Sequence, residues 1–430
     1  MQKFSKMKRI PTLVALLATL SVSSFAQTSI SYLEEDLQRS AGVYNNYETS
    51  DIALTPAPKG FKPFYISHYG RHGSRYHTGA NRFTETLREM SECSKAGILT
   101  KEGNELYESI KKLESIHDGL YGMLTQKGSI QHQRLADRMY FNFRRVFRQK
   151  DRCEIVAISS PIQRCIQSMA NFCTQLSEKE APLNFHYYSG DKYMGILAHG
   201  PVSPQGFSKK VESVVDSLVA RIDVRRLSEK TFTDTGKAEE VTGVSAGTIF
   251  YNCYRTLAIS PDLDEEDTPD ILFSYYNTEE LFRFSRVENC RFYADWLVCA
   301  EFGDARPKST AVHIIRDIIE KADAAVKGNN VAADLRFGHD SGLTPLLSYI
   351  RLQGNDWVGP IGQSADHWNC FSEMCMCSNL QMIFYRNRKG EVLVKFLHNE
   401  RETRITGLPT YSGPYYQWSV LRSYLTGLLN

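Results

Sequence analysis

Three segments far apart along the chain share one local pattern: a short β-prone run, a sharp turn carrying cations, then the start of a helix. The first is Lys62-Pro-Phe-Tyr-Ile-Ser-His-Tyr-Gly-Arg-His-Gly-Ser-Arg75, in which Phe64 to His68 reads as a strand and Gly70 and Gly73 bracket the cations with flexible backbone. The second is Glu154-Ile-Val-Ala-Ile-Ser-Ser-Pro-Ile-Gln-Arg164; Ile155 to Ile158 has the continuous apolar character of a buried parallel strand. Ser160 followed by Pro161 predicts an N-cap and first turn for a helix running towards Leu176. The third is Leu335-Arg-Phe-Gly-His339-Asp340-Ser-Gly-Leu-Thr-Pro345, with a strand ending near Gly338 and a helix that Pro345 helps to start. Units of this kind build an α/β fold, a mostly parallel central sheet flanked by helices. In such sheets ligands bind beyond the carboxyl ends of the strands, so the three turns are predicted to meet at one edge.

The intervening stretches read as helices. Leu106, Ile110, Leu113 and Leu120 follow the cap candidate Thr100, and Thr125 is placed to cap a second helix carrying Ile130, Leu135, Phe143 and Phe147. Val211, Val214, Val215, Leu218, Val219 and Ile222 form one apolar helix face. Segments 245–256, 279–300 and 311–326 also favour helix. Residues 201–300 separate the second and third units and are read as an inserted helical cap. The core is then discontinuous, 27–200 and 301–430. Leu380 to Arg386 and Glu391 to Leu397, around the turn Asn387 to Gly390, read as a hairpin ending the sheet.

The predicted edge gathers Arg71, His72, Arg75, Arg164, His339 and Asp340: a concentrated cationic site holding one carboxylate. Guanidinium groups held close repel one another, which makes little sense for stability but suits a bound dianion, because each fork donates paired charge-assisted hydrogen bonds. Neighbouring cations also keep an imidazole neutral and nucleophilic. Taken singly, each residue has a plainer reading: Arg164 as the partner of a carboxylate, His339 as a satisfied core histidine, Asp340 as a helix cap. Tyr76 and His77 are placed to line the pocket. Arg82, Lys209 and Lys210 are read as solvated charges, with contacts to further phosphates as the alternative.

In these motifs the chain resembles the histidine phosphatase superfamily, in its acid phosphatase and phytase branch. The family's Arg-His-Gly-x-Arg-x-Pro motif matches Arg71 to Arg75, with His77 where proline is usual. Its second arginine motif resembles Ser160-Pro-Ile-Gln-Arg164-Cys-Ile-Gln-Ser168, its His-Asp dyad matches His339-Asp340, and Leu124-Thr-Gln-Lys-Gly128 resembles a further family segment. Arg-His-Gly-Ser-Arg-Tyr and Gly-His-x-x-x-x-x-Pro-Leu-Leu look nearest to the multiple inositol polyphosphate phosphatases, although those usually carry His-Ala-Glu where this chain has His339-Asp340-Ser341. The resemblance implies a phosphomonoesterase without cofactor or metal. It casts His72 as nucleophile, Asp340 as proton donor, and Arg71, Arg75, Arg164 and His339 as phosphate ligands. The substrate class it implies is a phosphorylated small molecule, an inositol polyphosphate such as phytate. A sugar-phosphate or general acid phosphatase and a non-catalytic binder of phosphorylated ligands are the alternatives.

Composition bears on setting and partners. Formal net charge is +2, and no basic run interleaved with aromatics points to nucleic acid. Lys3, Lys6, Lys8 and Arg9, the apolar run Leu13 to Leu20, and Ser24-Phe25-Ala26 predict a cleaved export signal over 1–26 and no later membrane span. That places the chain in the periplasm or outside the cell. Ten cysteines, all beyond this segment, are then expected to form disulfides. Cys370, Cys375 and Cys377 near His367 match no common zinc spacing.

Overall fold

The computed structural model describes residues 30–47, 53–179, 182–197, 203–264 and 271–430. The export signal expected over 1–26 lies outside them. Among the described residues eight strands form one sheet: β1 (Lys62–Arg71), β2 (Glu154–Ser159), β3 (Asn184–Ser189), β4 (Val331–Gly338), β5 (Asn379–Arg386), β6 (Val392–His398), β7 (Arg401–Thr403) and β8 (Tyr415–Gln417). The order is β3-β2-β4-β1-β5-β6-β7, with β8 also on β6. Strands β3, β2, β4 and β1 run parallel, and β5 onward is antiparallel. The predicted hairpin is β5–β6, and β7 and β8 extend the sheet beyond it.

Strand alternation explains how the sheet faces two cores. Ile66, Ala333, Leu335, Phe337, Ile383 and Tyr385 meet Leu135, Met139, Phe172 and Leu176 of the helices Gln126–Asn142 and Gln163–Ser177. Tyr65, Tyr69, Met382 and Phe384 belong to the opposite core with Ile314, Ile318 and Trp418. On that second face β4 carries charge instead of apolar groups. Arg336, 1% exposed, donates through Nε to Asp317 Oδ2 (2.7 Å) and through Nη1 to Ser67 Oγ (3.0 Å), while Asp334 accepts from the Tyr65 hydroxyl (2.8 Å). A buried arginine survives there because its donors have partners.

Between β3 and β4 the described chain is helical, including Phe207–Val219, Ala246–Leu257 and Thr278–Trp296. Thr100 and Thr125 cap their helices as predicted, accepting from Gly103 N (3.0 Å) and Gly128 N (3.2 Å). Two helix starts differ from expectation. The helix after β2 begins at Gln163 with extended Ile162 as its N-cap, and the helix after β4 begins at Asp340 with Pro345 inside it. Ser160 is still held to the sheet edge by its backbone N–H on Phe337 O (3.1 Å), so the chain cannot turn into a helix there. Among the described residues no helix is long and apolar enough to cross a membrane.

No disulfide joins the ten cysteines among the described residues, so the expected disulfide framework is not shown. Nine are buried, and seven of these pack within the two hydrophobic cores, a common role for cysteine. The residues weighed as a zinc cluster also diverge. Cys377 Sγ lies 3.5 Å from His132 Nε2, Cys375 Sγ lies 3.4 Å from Ser378 Oγ, and the His367 ring stacks on Trp357 at 4.4 Å.

Candidate active site

Parallel pairing sets Arg71 opposite Gly338 and Ser159 opposite Phe337, so β1, β4 and β2 end level. The turns that follow them converge at this edge. His72 is fixed at its backbone by N–H donation to Gly338 O (3.1 Å) and by its carbonyl accepting from Cys377 N (3.1 Å). Its Nδ1 lies 2.9 Å from Gly73 O. A carbonyl can only accept, so Nδ1 carries the proton and the Nε2 lone pair is left free. Burial first, then the charges of Arg164, Arg71 and Arg75, hold the imidazolium pKa well below the usual histidine range. The ring is neutral and carries an unprotonated Nε2.

Arg71 is wholly buried. Its Nη1 donates to Val43 O and Met374 O, both at 2.7 Å, and its Nη2 pairs with Asp340 Oδ2 at 3.0 Å. Asp340 also accepts from Ser341 N (2.8 Å). Burial alone would raise the Asp340 pKa, but Arg71, His339 and Arg75 outweigh it and keep the carboxyl below its ordinary value. Arg75 rests over the Tyr44 ring, 5.4 Å from its centroid, and donates to Tyr76 O (3.0 Å). Arg164 Nη2 lies 3.3 Å from His339 Nδ1. An arginine only donates, so Nδ1 accepts and the other ring nitrogen, Nε2, bears the hydrogen that reaches Ser160 Oγ at 3.0 Å. Burial, then Arg164, brings His339 down to about 4. The His72 and His339 rings are 5.5 Å apart.

Six of the eight candidate residues thus form one connected group. His77 does not join it. It is fully buried, its Nε2 donates to Thr256 O (2.9 Å), and its ring packs edge-on to Phe83 at 5.4 Å and stacks on His117 at 5.3 Å. A histidine in the usual proline position therefore ties the loop to the Ala246–Leu257 helix. Tyr76 is half-buried against His117. Arg82, Lys209 and Lys210 are exposed. Sequence reasoning assigned no role at the site to Tyr44, and cast Ser160 as a cap rather than as the partner of His339. Nothing local to Tyr44 marks it, since only the chain's return across the site places it under Arg75.

The Leu124–Gly128 segment is explained by contact with the loop that carries His72. Thr125 N and Oγ1 both donate to Ser74 O (2.9 and 3.0 Å). A Cβ on Gly128 would stand 2.3 Å from Ser74 O, and one on Gly73 would stand 2.6 Å from Gly128 O. Two backbones touch where neither side chain fits. Gly128→Ala is expected to lower stability by ~1–3 kcal/mol, seen as a lower midpoint in thermal or urea unfolding. An unchanged midpoint would show that the loop gives way freely.

A sequence profile of the histidine phosphatase superfamily (branch 2) matches residues 70–399. No match appears among curated protein sequences. Among solved structures, the multiple inositol polyphosphate phosphatase of Bifidobacterium longum in complex with phosphate superposes with a TM-score of 0.73 at 18% identity, covering 91% of this chain and 98% of that one. The same protein in complex with inositol hexasulfate gives 0.71 at 18% identity, over 90% and 97%. The phytase from D. castellii gives 0.67 at 14% identity, over 97% and 90%. At these identities the likeness is one of fold.

Proposed function

The chain belongs to the histidine phosphatase superfamily, branch 2, and on that premise we propose that it is an exported phosphomonoesterase acting on inositol polyphosphates through a phosphohistidine. The observation that carries this reading is a neutral His72 with a free Nε2 lone pair, set among Arg71, Arg75 and Arg164 and beside an Arg71-bound Asp340. In the proposed mechanism His72 Nε2 attacks phosphorus in line, the ester P–O bond breaks, and Asp340 protonates the departing alkoxide. Water then attacks the phosphohistidine, giving its proton to Asp340 and freeing inorganic phosphate and the imidazole. Arg71, Arg75, Arg164 and His339 hold the equatorial oxygens, where their charge counts most in the transition state.

A polyphosphorylated substrate is favoured by a second group of charges beyond Tyr44. We read residues 201–300 as a cap, and from it Arg255 and Glu288 pair at 3.1 Å, each with a partly exposed side chain. The Tyr251 hydroxyl donates to Glu288 Oε2 (2.7 Å), and Arg255 stands 5.5 Å over the Tyr251 ring. Tyr44, whose ring lies under Arg75, is also near enough to Arg255 for their charges to interact if the phenol ionises. We propose Arg255 as the cation that meets a substrate's second phosphate. One charge-assisted contact amounts to ~1.5–3 kcal/mol. Arg255→Ala is therefore expected to raise KM for inositol hexakisphosphate about 10- to 100-fold while leaving KM for an aryl monophosphate near its original value. Equal changes for both esters would remove Arg255 from substrate recognition. The neighbours' names, an inositol polyphosphate phosphatase and a phytase, support the same substrate class.

The direct test is phosphate release from inositol hexakisphosphate by the purified protein over roughly pH 3 to 8 without added metal, with His72→Ala beside it. Cleavage of aryl phosphate alone would keep the mechanism and move the substrate to smaller esters. Silence on both would leave a binding protein.

A further inference from the structure

Asp262 is a fully buried carboxylate that the mechanism above does not use. It ends a short turn, Ser260–Asp262, that brings the helical excursion back against the nucleophile loop. The turn is stapled there from several sides. Thr125 Oγ1 lies 3.0 Å from both Ser74 O and Asp262 O, Lys127 Nζ donates to Pro261 O (2.8 Å), and Asn46 Nδ2 donates to the same carbonyl (3.2 Å). Neither carboxylate oxygen has a well-formed hydrogen bond, although the Ser74 hydroxyl stands beside it. That hydroxyl accepts from Gln131 Nε2 (2.9 Å), so its own hydrogen remains available to the carboxylate. The charged groups facing Asp262 are Arg75 and Arg71 from the nucleophile loop and Lys127 from the Gln126–Asn142 helix. Asp264, on the same segment, is turned to Lys127 N (3.2 Å).

A buried carboxylate behind a cluster of arginines is a counter-charge, and it competes with any anion those arginines bind. Resting on the phosphate-site reading, we propose that Asp262 is a positioning residue of that site, one that neutralises the arginine cluster before an anion binds and takes up a proton when a dianion enters. Burial pushes its pKa up to about 7, with Ser74, Arg75, Arg71 and Lys127 pulling the other way. The sign follows. Below that value Asp262 is neutral and the arginines present their full charge to the ligand. Above it the carboxylate ionises and opposes the incoming anion. A bound dianion raises its pKa further, so affinity falls with pH above neutrality.

The experiment is calorimetric binding of sulfate at pH 5 to about 8.5, because sulfate stays a dianion throughout and adds no titration of its own. The wild type is expected to lose some sulfate affinity as pH rises at acid pH, where Asp340 takes up a proton with the dianion, and to show a separate decline of up to about tenfold per unit above pH 7, with further proton uptake in buffers of different ionisation enthalpy. Asp262→Asn, a mimic of the neutral form, is expected to lose the decline above pH 7 and the proton uptake that accompanies it, while keeping the acid-side behaviour of the wild type. Ser74→Ala, which removes a donor favouring the carboxylate, should move the onset to higher pH. It serves as the second variant should Asp262→Asn not fold. A merely structural role predicts a uniform loss of affinity at all pH values, and that result, or an unchanged slope in Asp262→Asn, overturns the proposal. Failure of the wild type to bind sulfate at any pH overturns the phosphate-site reading, and this proposal with it.

Discussion

His72→Ala abolishes turnover, with an expected fall in kcat on the order of 10⁴-fold or more against both inositol hexakisphosphate and an aryl phosphate. The size follows from the lack of a substitute nucleophile in the group. His339 accepts from Arg164 at one ring nitrogen and donates to Ser160 at the other, and Asp340 is held by Arg71 and Ser341 N. The buried Cys165 thiol is pushed up to about 11 by burial, so almost none of it is thiolate at working pH. Anion binding should survive, because the three arginines keep their backbone anchors without the imidazole. The check is a paired one: rapid quench with labelled aryl phosphate, trapping an acid-labile phosphoenzyme in the wild type and none in the variant, alongside sulfate binding by both. A variant that still turned over at a tenth of the wild-type rate would show that His72 only binds phosphate.

The parts of this arrangement that could be read from sequence are those written locally. A β-prone run followed by a cationic turn reveals where a strand ends, and parallel register then brings Arg71, Gly338 and Ser159 level without any long-range knowledge. Capping by Thr100 and Thr125 is local chemistry too, and it was legible. The misreadings arise where a tertiary contact overrides a local preference. Ser160-Pro161 has the chemistry of a helix start, but the sheet edge still binds Ser160 N and its hydroxyl is taken by His339. His77 sits next to the Arg71–Arg75 motif in sequence, yet its ring packs into an aromatic and histidine core. Disulfide pairing of the cysteines follows from composition only under an assumed compartment, and seven of the ten lie in the two apolar cores. Tyr44 comes from one excursion of the chain, and Arg255 and Asp262 from another, which no spacing rule can foresee.

Asp340→Asn separates the chemistry of the leaving group from that of the nucleophile. In the free protein Asp340 is ionised through most of the acid range, because Arg71, His339 and Arg75 hold its pKa below the ordinary value. A proton donor cannot work from that state. Entry of a phosphate dianion supplies the change, since its charge offsets the guanidinium that had stabilised the carboxylate, and the Asp340 pKa rises in the complex. The acid form is then populated below the raised value and lost as pH increases through it. For the wild type, kcat on an alkyl phosphate is expected to decline on the alkaline side of this pKa, whereas kcat/KM, which reports the free protein, shows no such limb from Asp340 at that pH. Asparagine has no proton to give. Asp340→Asn should therefore lower kcat for inositol or alkyl esters by about 10²- to 10⁴-fold, the range general acid catalysis contributes, and flatten the alkaline limb. An aryl ester such as 4-nitrophenyl phosphate leaves without protonation, so its formation of phosphohistidine should lose far less, within about tenfold. Equal losses on the two esters would mean that Asp340 acts chiefly by fixing Arg71 through their 3.0 Å pair, and the proton would then have to come from another group at this edge.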